Sequence, residues 1–214
     1  MLKHFTLVAV SFFGTAATSA ATLPEYKMQD LPPVPYSIIQ EEPTAKTQTA
    51  TKEVAPDTIK EKRLICKGCN GNENLALKYL QDRGITDKYA LATIMGNIKQ
   101  ESQFVSNVCE GGSRTSYRNC YGGYGLIQWT SSSRYYGLGN HSRKIGLNPS
   151  TIEAQLDYML NETQWKGIER KMKTPGKSLY HYMNQTYSWI GWGIHGSRTS
   201  YARDYVKRMI IAEV

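Results

Sequence analysis

Glu101 is the residue whose type and position could do chemistry. It closes the run Gly96-Asn97-Ile98-Lys99-Gln100-Glu101-Ser102 and follows Leu91, Ile94, Met95 and Ile98. Those four fall at i, i+3, i+4 and i+7, the spacing of one buried helical face. Glu101 continues that face, so a carboxyl group stands where Leu or Ile is expected. Burial in apolar surroundings disfavours the charged form of a carboxyl group. A carboxyl group still protonated near neutral pH can donate to the leaving oxygen of a glycosidic bond. The competing reading is a Glu at a frayed helix end that faces water or pairs with Lys or Arg.

Twenty residues on, Tyr121-Gly122-Gly123-Tyr124-Gly125-Leu126-Ile127-Gln128-Trp129 combines glycines with aromatics. Glycines allow close backbone approach to a ligand. Tyr121, Tyr124 and Trp129 offer flat apolar faces suited to sugar rings. Gln128 can both donate and accept hydrogen bonds. From residue type alone, Leu126, Ile127 and Trp129 belong to a core, and Tyr124 and Gln128 to a site. A second acid is harder to place. Glu110, nine residues after Glu101, could serve as general base or stabilise an oxocarbenium-like transition state. It could equally be a solvated loop residue. Without a second acid, the sugar's own hydroxyl could complete the reaction, which is lytic transglycosylase chemistry.

Other chemistries fit less well. The histidines (His4, His141, His181, His195) show no HxxxH or HExxH spacing, so no metal site and no cofactor are expected. The cysteines number four. Cys109 and Cys120 flank a Gly- and Ser-rich loop, and Cys66 and Cys69 can close a small one. Cross-pairing between the two sets is also open, since four cysteines allow three connectivities. A Cys–His hydrolase using Cys109 or Cys120 with His141 or His195 is conceivable, but an even count in an exported chain argues for disulfides.

These residues need a scaffold. A helix is predicted from Asn72 to Arg83, ended by Gly84. The helix that carries Glu101 is to be capped by Thr86 or Asp87. Residues 106–125 lose helical period and read as turns or a small irregular hairpin. Ser131 to Gly139 reads as a short helix or loop. Ser150 or Thr151 caps a helix through about Asn161, and two more are predicted near Ser178 to Tyr187 and Ser200 to Ala212. The fold class is α+β, predominantly helical, with a small β-hairpin lobe.

Before this domain the character of the chain changes. Lys3 and His4, an apolar run from Phe5 to Phe13, and small residues ending at Ala20-Ala21 read as a signal peptide over residues 1–20. Residues 21–63 hold six of the eight prolines, with no Gly or Trp, and read as a disordered tether. Tyr36, Ile38 and Ile39 could instead anchor an arm that packs on the domain. Residues 64–214 are the expected domain. An exported protein, periplasmic or extracellular, is predicted, with no stable membrane insertion once the signal is removed. Losing Lys3 takes the formal charge from +8 to +7. Such a chain is drawn to anionic surfaces, yet no zinc-finger spacing or basic helix of a nucleic-acid reader is present.

The runs LATIMGNIKQESQF (Leu91 to Phe104) and YGLIQWT (Tyr124 to Thr130), with the later Gln155-Leu156-Asp157-Tyr158, resemble the phage-tail-type lysozymes of the lysozyme-like superfamily. The resemblance covers roughly Leu75 to Leu160, with a weaker echo around Arg198, Tyr201 and Ala202. It implies a lysozyme fold, a cleft between helical lobes, and peptidoglycan glycan strands as substrate; a monomer is expected. It places the family's catalytic Glu on Glu101 and its hairpin contacts on Tyr124, Gln128 and Trp129. The chain departs from the family pattern in its two early cysteines and in Trp189 to His195, where an aromatic-acid-x-Pro segment often stands. The expected activity is hydrolysis of the MurNAc–GlcNAc bond. The alternatives are a transglycosylase using the same Glu101, or a glycan-binding module that has no need of Glu101.

Overall fold

A computed structural model describes residues 61–213. The expected signal peptide and nearly all of the expected tether lie outside the described residues. Lys62 and Arg63, expected as the end of the tether, belong instead to a strand.

That strand, β1 (Lys62–Cys66), pairs antiparallel with β2 (Met209–Glu213), with Leu64 opposite Ile211. Between them run eight helices: α1 (Gly71–Asp82), α2 (Lys88–Ser102), α3 (Ser132–Lys144), α4 (Ile152–Asn161), α5 (Thr163–Lys166), α6 (Glu169–Lys173), α7 (Leu179–Ile190) and α8 (Arg198–Arg208). The fold is α+β with helices dominant. Its regular sheet is this two-stranded ribbon, not the expected hairpin. The hairpin segment holds only single bridges, Cys109 to Tyr124 and Tyr124 to Trp129 among them, and a short 3₁₀ turn at Tyr117–Asn119.

Local sequence explains the helix starts. Asn70 and Glu73 form a reciprocal capping box on α1. The Asp87 side chain accepts from the amides of Tyr89 and Ala90 and starts α2. Thr151 caps α4 and Ser178 caps α7. Two expectations are corrected, and two short helices were not anticipated. Helix α3 runs on to Lys144. The short helices α5 and α6 carry no apolar period that would announce them. The last helix stops at Arg208, and Met209 enters β2.

Helix α2 is the centre of the domain. One buried face was expected, but every residue from Ala90 to Ile98 is buried, as for a helix enclosed on all sides. Helix α8 packs closest to it. A Cβ built at Gly96 would lie 2.7 Å from the Ala202 amide nitrogen and 2.8 Å from the Arg198 carbonyl oxygen. Only glycine allows this approach.

Both disulfides join near neighbours, Cys66 to Cys69 and Cys109 to Cys120. The second staples the loop that bridges to the Tyr124 turn through Cys109.

Candidate active site

Glu101 sits one residue before the last of α2. The helix ends where Gln103 and then Phe104 take left-handed backbone angles, with φ of 53° and 62°. Left-handed angles are costly for residues with a side chain. They turn the chain sharply, and Phe104 drives into the core against Tyr205.

The turn Tyr124 to Trp129 is fastened to this helix end from two sides. The Ser102 hydroxyl donates to the Leu126 carbonyl at 2.9 Å. The buried side chain of Gln155 on α4 accepts from the Leu126 amide at 2.8 Å and donates to the carbonyls of Ser106 and Pro149. Gly125, with φ of 71°, admits that glutamine, since a Cβ there would lie 2.3 Å from its Oε1. The glycine is therefore needed for close contact with Gln155, a protein group.

An open cleft of about 330 Å³ forms where these elements meet. Gln100 and Glu101 supply its floor, and Ile127, Gln128 and Thr130 one wall. The opposite wall comes from Ile190 at the end of α7, from Trp192 and Ile194 in the α7–α8 connection and from Arg198 at the start of α8. The Gln100 side chain accepts from the Ser197 amide at 2.7 Å and ties that connection to α2.

Glu101 is the carboxylate lining this cleft among the described residues, and its side chain is 16% exposed. Its surroundings are not the apolar ones expected. Arg198 donates from Nη2 to Glu101 Oε1 and is itself only 4% exposed. The other arm of the guanidinium, Nη1, lies 3.4 Å from Asn97 Oδ1. The Trp192 indole donates to the same oxygen at 3.2 Å, and its ring centroid is 5.7 Å from the guanidinium carbon. Asn97 is held by the Thr93 carbonyl and the Thr186 hydroxyl. Glu101 Oε2 makes no hydrogen bond to the described residues.

The remaining expected site residues scatter. Gln128 lines the cleft with a left-handed backbone, φ 51°, and its amide donates to the Gly125 carbonyl at 3.0 Å. Tyr124 and Trp129 are fully buried, so the stacking role expected of them is corrected: neither has a face to offer a sugar. The Tyr124 hydroxyl donates to Ser150 Oγ, and the Trp129 indole donates to Glu162. Tyr121 is 99% exposed and stands outside the cleft. Glu110 does not line the cleft either, because its carboxylate turns to the Gly123 amide at 2.9 Å.

Arg198, Trp192 and Asn97 are the functional candidates that sequence reasoning missed. The one signal for Arg198 was its place in the weak family echo near Tyr201.

A comparison with known protein families matches the phage tail lysozyme family over residues 71–207, from the first turn of α1 almost to the end of α8. No curated protein matches the chain. The matched span contains the catalytic-helix candidate, the fastened turn and both cleft walls. The chain therefore belongs to the phage tail lysozyme family.

Proposed function

We propose that the chain is a peptidoglycan glycosidase in which Glu101 protonates the leaving glycosidic oxygen of a MurNAc–GlcNAc bond. The observation that carries this reading is the position of Glu101 as the carboxylate lining the cleft among the described residues, with Oε1 held by Arg198 and Oε2 without a hydrogen bond to the described residues. As the C1–O bond breaks, the Oε2 proton passes to the departing oxygen and positive charge develops on the sugar ring. Water then attacks C1 and returns a proton to Glu101. Gln128 on one wall and Trp192 on the other are the proposed sugar contacts. The two disulfides suit an oxidising compartment. No helix among the described residues is long and apolar enough to cross a membrane.

A second reading is favoured by a specific observation: among the described residues Glu101 is the one carboxylate that lines the cleft, while the Glu110 carboxylate accepts from the Gly123 amide. A hydroxyl of the same sugar would then attack C1 and leave an anhydro end.

Clearing of purified walls by wild type and by Glu101→Gln tests the role of Glu101. Equal clearing by both would sink it. If neither clears walls while both pellet with them, the chain is a binding module. Mass analysis of the released fragments separates the two glycosidase readings, since anhydro ends on most products would exclude hydrolysis.

A further inference from the structure

We infer that Arg198 is the positioning residue of this site: it fixes which oxygen of Glu101 carries the proton and stabilises the carboxylate formed when that proton leaves. This rests on the proposed role of Glu101 and adds a second residue, from another helix, to it.

Three features of the geometry support the assignment. First, Arg198 is buried and still faces the cleft. Burying a guanidinium is costly unless it is paired, and its ion-pair partner is Glu101. Second, the planar fork is held at several points. One arm meets Glu101, the other meets Asn97, and the Trp192 ring lies beside the group. Asn97 is itself anchored to α7 through Thr186, so the guanidinium has little freedom to turn. Third, the contact is made to one carboxylate oxygen only. Occupation of Oε1 leaves Oε2 as the proton-bearing atom that faces a bound sugar.

The energetic consequence follows from the balance of the step. Before cleavage Oε2 carries a proton and Glu101 is neutral. During cleavage the proton moves to the glycosidic oxygen, the C1–O bond breaks, and negative charge grows on Glu101. A fixed guanidinium interacts more strongly with the charged product of that transfer than with the neutral acid. The gain is therefore made in the transition state, where it raises kcat, and not in substrate binding. The proton is regained at the end of each turnover.

The test uses the full chain carrying Arg198→Ala, Arg198→Lys, Glu101→Gln, and the Glu101→Gln/Arg198→Ala pair, assayed on soluble uncrosslinked glycan strands. Arg198→Ala is expected to lower kcat by about tenfold or more while KM stays within about threefold, the signature of a lost transition-state contact. Added guanidinium chloride, at concentrations well below denaturing, should restore part of the loss in Arg198→Ala and none in Glu101→Gln. A merely structural role would not respond in this way. Arg198→Lys keeps the charge but cannot span Glu101 and Asn97 together, so its kcat should fall about fivefold or more with an unchanged melting curve. The double variant should be no slower than Glu101→Gln alone, because Arg198 acts through Glu101.

Wild-type kcat in Arg198→Ala would overturn the inference. Should that variant not fold, wild-type kcat in Arg198→Lys would do so. A double variant markedly slower than Glu101→Gln would also overturn it, since Arg198 would then act by another route. Full activity in Glu101→Gln is a different failure: it removes the proposed acid itself.

Discussion

Gly96 lies directly against Ala202, so close that a Cβ on Gly96 would stand 2.9 Å from the Ala202 Cβ. This contact sets the distance between the helix that carries Glu101 and the helix that begins with Arg198. Gly96→Ala should push α8 away from α2. Overpacking of this kind costs about 1–3 kcal/mol. Wall-clearing activity should fall well beyond the loss of stability, because the Glu101–Arg198 contact opens. Thermal melting and activity measured on the same preparation check this. A variant that melts lower yet keeps full activity would show that the helix spacing does not set the site.

Glu162 is a buried carboxylate whose partners hold the fold together. It accepts two hydrogen bonds from Arg134, and the indoles of Trp129 and Trp189 donate to its two oxygens. Its side chain is almost completely buried. Glu162→Ala leaves a half-buried guanidinium and two buried N–H donors without a partner. Loss of one member of a buried pair costs about 3–5 kcal/mol. Urea denaturation followed by tryptophan fluorescence should show that loss. A change below about 1 kcal/mol would mean that water replaces the carboxylate there.

Local features were legible in the sequence, and contacts between distant segments were not. The Asp87 cap, the apolar run into Glu101 and the glycine-rich turn each lie within a few residues of one another, so spacing reveals them. Arg198 meets Glu101 across 97 residues. Nothing in its own neighbourhood marks it off from the other cations. The family resemblance makes Trp129 a sugar contact, but Glu162, 33 residues later, holds its indole in the core. Strand β2 was missed for a related reason. Tyr201, Tyr205 and Met209 keep helical spacing across the boundary, while the pairing that makes Met209 extended comes from Cys66.

The carboxyl group of Asp157 gives the fold an acid-sensitive lock. Burial pushes its pKa up, but hydrogen bonds from Tyr79, His141 and Arg83 outweigh this and hold it down at about 2, against 3.8 ordinarily. A depressed folded pKa contributes stability that is fully present above the unfolded value. That stability erodes as pH falls below 3.8 and is gone once pH passes through about 2. The contribution is on the order of 2 kcal/mol, less whatever solvent screens at the partly exposed side chain. Burial likewise pushes the Glu73 carboxyl up, and its bonds from Tyr205, Lys99 and Asn70 hold it low, so it adds to the same trend. Asp157→Asn should be less stable than wild type at neutral pH and should lose less stability between pH 4 and 2. Urea midpoints across that range check it, and parallel curves for the two proteins would contradict it.

Gln128 and Trp129 are neighbours that should respond in opposite ways to substitution. Gln128 lines the cleft, whereas Trp129 faces Glu162 with no exposed surface. Trp129→Phe removes one buried hydrogen bond and some packing volume. It should cost about 2–3 kcal/mol of stability and leave KM for soluble glycan strands unchanged. Gln128→Ala removes a polar group from the cleft wall and its bond to the Gly125 carbonyl. KM should rise several-fold, while stability changes by about 1 kcal/mol or less. The pair is read by melting temperature against KM for each variant. A raised KM in Trp129→Phe at unchanged stability would return Trp129 to the sugar-binding surface and contradict its burial in the core.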